Sequence, residues 1–119
     1  MTTSINIDGV EYVRADTIAT PASKDGLPYV IVRSGQAGVF AGWLVERDGD
    51  TVQLCESRRI YYWSGAATLS QLALDGTSKP SACKFPAPLP AHTVLGVCEI
   101  IPVTEAARLS LAAVKVWSE

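Results

Sequence analysis

Histidine and cysteine are scarce in this 119-residue sequence. The one histidine is His92, and the three cysteines, Cys55, Cys83 and Cys98, are widely spaced with no CxxC pair. A catalytic nucleophile needs a histidine or an activated lysine within reach, and a single histidine in a loop is usually a surface residue. GxSxG, HExxH and a glycine-rich phosphate loop are all absent from the sequence. We therefore expect a protein that is not an enzyme and that has no catalytic residue, metal site, cofactor or disulfide framework.

Long apolar runs and an excess of basic charge are missing as well. No run approaches the roughly 20 apolar residues of a membrane helix, and the N-terminus has no basic-then-apolar signal pattern. We therefore expect a cytoplasmic protein with no membrane partner. The formal net charge of −2 argues against duplex nucleic acid as a partner, because that partner selects a basic surface. A small anionic ligand remains open, since it needs only two or three local cations.

Length and hydrophobicity predict a single globular domain with one additional arm. The chain is 48% hydrophobic and long enough for one core. Asp8-Gly9 is a pair that favours a two-residue hairpin turn, and apolar residues alternate with polar ones on both sides of it. This pattern predicts a β-hairpin arm over residues 1–18. Residues 19–28, which include TPASKDGLP, are rich in turn-forming residues and predict a linker. The ligand-binding domain is then residues 29–119.

Successive strand patterns predict the fold class of that domain. YVIVR, VFAGWLVER, TVQLC and RRIYYW follow one another with short connections, which is typical of an antiparallel meander. We expect an α+β fold with an antiparallel β-meander sheet of about five to six strands and two short helices. Gly42, inside the second pattern, indicates a bulge or a close backbone approach. Thr104 is the expected N-cap of the last helix.

The stretch SRRIYYWSGAATLSQLALDG, residues 57–76, is the best candidate for a binding site. Its pattern predicts a strand over Arg58–Trp63, a break at Ser64 and Gly65, and a helix that ends before Gly76. A strand, a tight turn and a helix point unpaired backbone N–H groups at an anion above the turn, and two adjacent arginines lie beside it. The alternative is a helix capped by Ser64 next to two solvated arginines, which is the more common arrangement.

Alternation along the predicted strand divides its side chains between two faces. Arg59, Tyr61 and Trp63 share one face, where a cation beside two aromatic rings suits a nucleotide's phosphate and base. The other face carries Arg58, Ile60 and Tyr62. The alternative is that Tyr61 and Trp63 pack under the helices, since antiparallel sheets also favour aromatic residues.

Further candidate residues lie downstream. The four prolines of residues 77–90 predict an ordered surface loop, in which Phe85 is the large apolar anchor and Lys84 adds a cation. Arg108 on the last helix is another candidate cation. Leu111 and Trp117 have no evident packing partner in the sequence, which suggests a symmetric oligomer.

Several segments resemble a group of small phage-encoded proteins of unknown function. These segments are YVIVRSGQAGVFAGWLVERDG, RRIYYWSGAATLSQLALDGTSKP, CKFP and PVTEAARLS…VKVW, which together span Tyr29 to Trp117. The pattern is also similar to phage proteins that counter the Thoeris and CBASS defences by sequestering nucleotide signals. That resemblance implies a sponge for a cyclic ADP-ribose isomer or a cyclic oligonucleotide, which it holds without cleavage. It also implies dimers or larger homo-oligomers in the host cell cytoplasm, with pockets at subunit contacts.

The resulting hypothesis is a phage anti-defence protein that sequesters a small cyclic nucleotide. Its predicted ligand-binding residues are Arg58, Arg59, Tyr61, Trp63, Ser64, Gly65, Lys84, Phe85 and Arg108. A protein-binding module that inhibits a host protein through its aromatic face is the alternative, and enzymatic turnover of such a nucleotide is a weaker third one.

Overall fold

A computed structural model of the chain describes residues 4–7, 10–13 and 20–118. Strands β1 (Ser4–Ile7) and β2 (Val10–Val13) pair antiparallel, so the predicted N-terminal hairpin is present. The two ends of the predicted arm, its Asp8-Gly9 turn and residue 19 of the predicted linker lie outside the described residues. No helix in the described part of the chain has the length and apolar character to cross a membrane.

A six-stranded antiparallel sheet and two helices form the body of the protein, which confirms the predicted α+β class. The strands are β3 (Ser23–Lys24), β4 (Leu27–Ser34), β5 (Gly38–Asp48), β6 (Thr51–Arg59), β7 (Leu89–Val94) and β8 (Val97–Pro102). The helices are α1 (Leu69–Asp75) and α2 (Glu105–Ala112), and a 3₁₀ turn spans Pro80–Ala82. Strands β4, β5 and β6 form the predicted meander, because each pairs antiparallel with the next.

The sheet curls, and a separate hydrophobic cluster lies against each of its two faces. Strand β7 pairs with β6 whereas β8 pairs with β4, yet only Leu95 and Gly96 join β7 to β8. Opposite ends of the sheet must therefore approach each other. The inner cluster, inside the curl, consists of Val30, Val32, Phe40, Val52, Leu54 and Val94. The outer cluster, under the helices, includes Ile31, Ala41, Ile60, Leu72, Phe85, Val103 and Leu111.

The described part of the predicted linker belongs to the sheet, so that prediction needs correction. Ala22 is buried, its N–H donates to the Val103 carbonyl at 2.9 Å, and its carbonyl accepts from the Tyr29 N–H at 3.1 Å. Strand β3 pairs with the start of β4, and β4 itself begins at Leu27. Turn-forming residues indicate where the chain reverses, but they do not distinguish a tight hairpin within a sheet from a linker between units.

Strand β6 contains a bulge opposite Gly42, next to the residues of the candidate site. Ala41 pairs with Arg58 and Trp43 pairs with Cys55, so Gly42 alone lies opposite both Glu56 and Ser57. Glu56 has a φ of 51°, as a bulged residue often does. A Cβ on Gly42 would lie 3.2 Å from the Ser57 Cα, which confirms the close backbone approach indicated by the sequence.

Candidate functional site

The two adjacent arginines lie on opposite faces of the sheet. Arg58 is the cross-strand partner of Ala41, which belongs to the outer cluster. Arg59 is the partner of Phe40, which belongs to the inner cluster. Cross-strand partners share a face, so the alternation predicted for these two residues is correct. The same alternation contradicts the prediction that both arginines hold one anion beside the turn.

The predicted strand over Arg58–Trp63 is wrong, because β6 ends at Arg59. Beyond it the chain leaves the sheet, and the N–H groups of Tyr61 and Tyr62 both donate to the Lys84 carbonyl at 3.2 Å. Ile60 is buried in the outer cluster. Arg59, Tyr61 and Trp63 therefore do not form one sheet face.

Tyr61 instead belongs to a small surface cluster near the C-terminus. Its side chain is 63% exposed and stacks on Trp117, with ring centroids 5.1 Å apart and planes 8° apart. Lys84 Nζ lies 5.5 Å from the Trp117 ring centroid. Trp117 thus packs within the chain, and so does Leu111, which is buried in the outer cluster. Both residues have packing partners within one chain, so they no longer support the prediction of an oligomer.

The turn at Ser64 and Gly65 does not lead directly into a helix N-terminus, so the predicted geometry for an anion site is absent there. Helix α1 begins only after Thr68, whose side chain accepts from the Gln71 N–H at 3.2 Å, while Gln71 Oε1 accepts from the Ala67 N–H at 2.8 Å. The helix is thus capped by Thr68 and not by Ser64. The N–H of Gln71 is therefore already capped, and residues 66–68 separate the first turn of the helix from Ser64 and Gly65.

The remaining predicted site residues divide between the core and a surface cleft. Phe85 is 1% exposed and forms part of the outer cluster, so the loop anchor is confirmed but no face is left for a ligand. Trp63 packs partly buried against the same cluster. Arg58 and Arg108, by contrast, come together. They border a cleft of about 320 Å³ that is also lined by Tyr29, Trp43, Glu56 and Pro88. It is called the arginine cleft below.

Arg58 is anchored in this cleft by three main-chain carbonyls. Its Nε donates to the Pro86 carbonyl at 3.2 Å, Nη1 to that of Leu111 at 3.2 Å and Nη2 to that of Phe85 at 3.3 Å. Leu111 lies in the last turn of α2, so the guanidinium also satisfies a terminal helix carbonyl. Burial lowers the pKa of Arg58, and it forms no ion pair with any carboxylate of residues 20–118.

The other cation of the cleft is compensated by a carboxylate. Arg108 donates from Nε and Nη2 to the two carboxylate oxygens of Glu105 at 2.8 and 2.7 Å, and this pairing lowers the pKa of Glu105. Its guanidinium lies 5.6 Å from the ring centroid of Trp43. The fork geometry fixes the orientation of Arg108 at the edge of the cleft.

Aromatic and acidic residues that were not predicted form the opposite wall. Trp43 is 5% exposed, its Nε1 donates to Glu56 Oε2 at 2.9 Å, and Tyr29 packs edge-on against it at 4.9 Å. Glu56 reaches Trp43 because of the bulge opposite Gly42, which was the available signal in the sequence. Burial raises the pKa of Tyr29, so its hydroxyl stays protonated and can donate to a ligand.

A second, smaller pocket of about 190 Å³ opens on the other face around Arg59 and His92. Its lining also includes Phe40, Ser57 and Leu89. Neither His92 nor Ser57 is among the predicted site residues. The structure brings them together because Ser57 lies in β6 and His92 in the neighbouring strand β7. Within the described residues, no cluster of three or more histidine, cysteine or acidic residues could hold a metal ion.

Comparison with known proteins identifies a family but no function. Residues 27–111, more than two thirds of the chain, match a family described as a domain of unknown function, DUF6948. The match begins at the first residue of β4 and ends within α2, so it covers strands β4 to β8, helix α1 and most of α2, but excludes β3 and the N-terminal hairpin. No curated protein and no solved structure matches the chain.

Proposed function

We propose that this chain, which belongs to the DUF6948 family, binds a small anionic ligand in the arginine cleft without transforming it. A cyclic nucleotide signal is the ligand class to test first, because the sequence resembles phage proteins that sequester such signals. In that role the protein acts by lowering the concentration of free ligand, which requires only tight binding and an excess of protein.

One observation carries this proposal: the cleft contains a partly buried guanidinium with no carboxylate partner among residues 20–118. The three neutral carbonyls that hold Arg58 occupy three of its five N–H donors. An anion that binds here gains a charge-assisted hydrogen bond at a site where the protein has already desolvated the cation. Arg108 supplies a second cation at the same cleft, and the Tyr29 hydroxyl supplies a neutral donor.

The size of the cleft restricts the ligand. Its volume of about 320 Å³ lies at the lower end of the usual range for small-molecule sites, which is roughly 300–1,000 Å³. Trp43 is only 5% exposed, so it leaves little ring surface on which a base could stack. A compact phosphorylated ligand fits this shape better than a cyclic oligonucleotide, which needs a larger site such as one shared between two copies of the chain.

Calorimetric titration with a panel of cyclic mononucleotides, cyclic ADP-ribose isomers and cyclic dinucleotides tests the proposal. Arg108→Gln is the informative variant, because the hydrogen bonds of the Arg108 side chain go to Glu105, at the surface, and none goes to the main chain that Arg58 anchors. Removing one charge-assisted bond of about 1.5–3 kcal/mol weakens binding by roughly 10-fold to 150-fold. Arg47→Gln, at an exposed arginine that donates to the carbonyl of Gly49, is the matched control and keeps wild-type affinity.

Absence of binding by every compound at tens of micromolar in low salt refutes the proposal. If the wild-type protein and Arg108→Gln bind the same compound with equal affinity, the ligand does not bind in the arginine cleft. Ligand recovered from the complex after denaturation is expected to be intact, and a converted product would instead indicate an enzyme.

A second candidate function, protein binding, is favoured by the exposed aromatic cluster at the C-terminus. Tyr61 and Val116 are both more than half exposed; Tyr61 stacks on the Trp117 ring, and Val116 and Trp117 line a groove of about 380 Å³. Affinity purification with the wild-type chain and with Tyr61→Asp tests this candidate. A host protein recovered only with the wild-type chain must then bind as a purified protein, with an affinity that Tyr61→Asp lowers.

A further inference from the structure

The pocket around Arg59 and His92 is separate from the arginine cleft. Arg59 shares its face with Phe40 and the inner cluster, whereas Arg58 shares its face with Ala41 and the outer cluster. The two arginines therefore belong to different cavities. The proline-rich loop borders both of them, since Pro88 lines the cleft and Pro86 lines the pocket.

The ring of His92 is held in a defined orientation. Its Nδ1 lies 2.9 Å from Ser57 Oγ, and its ring packs edge-on against Phe40 with centroids 4.8 Å apart and planes 83° apart. Ser57 is 1% exposed, which leaves it too buried to attack a substrate. The hydroxyl therefore acts as an orienting partner, and Nε2 is the ring nitrogen left for a ligand.

Arg59 provides the charge of the pocket. Its Nη1 donates to the Ala37 carbonyl at 2.9 Å, and its Cζ lies 4.5 Å from the ring centroid of Phe40. These two contacts fix the guanidinium while leaving donors on Nη2 and Nε. No carboxylate of residues 20–118 forms an ion pair with Arg59, and none lines the pocket. Burial and the charge of Arg59 both lower the pKa of His92, so the arginine acts on the histidine electrostatically.

We propose that this pocket binds the oxyanion group of a small organic ligand, a carboxylate or a phosphate, with Arg59 and His92 as the donors. The apolar wall formed by Phe40, Pro86 and Leu89 holds the uncharged remainder of the ligand. The guanidinium fork supplies geometry and charge, and His92 supplies a hydrogen bond from Nε2 or, when it is protonated, a second charge. Binding involves no covalent step.

The single histidine makes a direct experiment available. Because His92 is the only histidine in the chain, its imidazole C2–H resonance in a proton NMR spectrum needs no assignment. The protein is titrated at low ionic strength with inorganic phosphate, phenyl phosphate and benzoate, and with sodium chloride at matched ionic strength. The oxyanions are expected to shift the resonance saturably and to raise the pKa of His92, since an adjacent negative charge favours the imidazolium.

The three probes also distinguish the ligand chemistry. Saturation by phenyl phosphate at a lower concentration than by inorganic phosphate identifies the apolar wall as part of the site. A comparison of benzoate with phenyl phosphate tells whether the oxyanion is a carboxylate or a phosphate. If chloride shifts the His92 resonance as much as the three oxyanions do, screening of charge by salt explains the shift and the proposal is overturned. The proposal is also overturned if none of the oxyanions shifts the resonance at tens of millimolar.

Arg59→Gln is the decisive variant, and Arg47→Gln is its matched control. In Arg59→Gln the pKa of the ligand-free His92 rises, because a neighbouring positive charge has been removed, and the oxyanions bind at least 10-fold more weakly. Arg47→Gln behaves like the wild-type protein in both respects. An unchanged oxyanion response in Arg59→Gln overturns the proposal.

Arg59→Lys keeps the test informative if Arg59→Gln does not fold. Lysine preserves the charge but not the fork, so the pKa of the ligand-free His92 stays low while oxyanion binding weakens. Neither variant alters Arg58 or Arg108. The titration of these variants with cyclic nucleotides therefore tests the arginine cleft independently, and either proposal can fail without the other.

Discussion

Replacing Gly65 with alanine is expected to destabilise the fold strongly, and the reason lies in the turn that the sequence suggested as an anion site. Gly65 has a φ of 85°, in the region that favours glycine. A Cβ at this position would lie 2.5 Å from the Lys79 backbone nitrogen and 2.7 Å from that of Ser78. The Ser78 N–H also donates to the Gly65 carbonyl at 3.2 Å, and the Thr77 hydroxyl donates to the Ser64 carbonyl. The space above the turn is therefore filled by the chain's own backbone.

The magnitude follows from two separate costs. A non-glycine residue in the left-handed region costs about 1–2 kcal/mol. Displacing the backbone of residues 78 and 79 adds a cost comparable to overpacking, about 1–3 kcal/mol, because backbone atoms cannot rotate away. Gly65→Ala should therefore lower the free energy of unfolding by about 2–5 kcal/mol. Gly26→Ala is the matched control, because Gly26 has a φ of 80° but nothing within 4 Å of its added Cβ. Only the first cost, about 1–2 kcal/mol, applies there.

Urea unfolding followed by tryptophan fluorescence measures both variants, since the chain contains three tryptophans. If Gly65→Ala and Gly26→Ala lower the free energy of unfolding equally, contact with residues 77–79 does not explain why position 65 requires glycine. A Gly65→Ala protein that keeps its stability but loses ligand binding would instead restore the original hypothesis of an anion-binding turn.

Two further predictions concern the helix cap and the thiols. Thr104, 6% exposed, accepts from the Ala107 N–H at 3.1 Å and donates to the Leu74 carbonyl at 2.7 Å, so Thr104→Ala should cost about 1–3 kcal/mol in urea unfolding. Thr104→Ser, which keeps both bonds, should cost less than 1 kcal/mol, and equal costs would contradict the role of the hydroxyl. Cys98 is exposed and Cys83 is buried, so a thiol reagent should modify Cys98 in the native protein and Cys83 only on unfolding. Modification of native Cys98→Ser protein at Cys83 would show that this prediction is wrong.

The parts of the fold that follow from local chemistry could be predicted. The meander depends on apolar runs separated by short turns, the cap at Thr104 depends on one hydroxyl before a helical pattern, and Gly42 marks a backbone contact. In each case a few neighbouring residues determine the structure. Phe85 as the anchor of the proline-rich loop belongs to the same group, because it is the one aromatic side chain of that loop.

The end of β6 could not be predicted from local sequence, because it depends on a distant segment. Ile60, Tyr61 and Tyr62 have the β-propensity of the residues before them, so nothing local stops the strand after Arg59. The partner that takes over is Lys84, whose carbonyl receives the N–H groups of both tyrosines. Cys98 is a similar case: its apolar sequence context predicts burial, yet it is exposed, and it lies where the register between β8 and β4 shifts.

The position of the arginines decides how binding variants should be interpreted. Arg58 holds the carbonyls of residues 85, 86 and 111, so removing it loosens the contact between the proline loop and α2 as well as the cleft. A loss of nucleotide binding in an Arg58 variant is therefore ambiguous, whereas the same loss in Arg108→Gln is not. Arg59 lies across the sheet and reports on a different cavity. If Arg58 and Arg59 variants abolished the same titration while the fold stayed intact, the proline-rich loop would be the expected link, because Arg58 donates to the Pro86 carbonyl and Pro86 lines the pocket of Arg59.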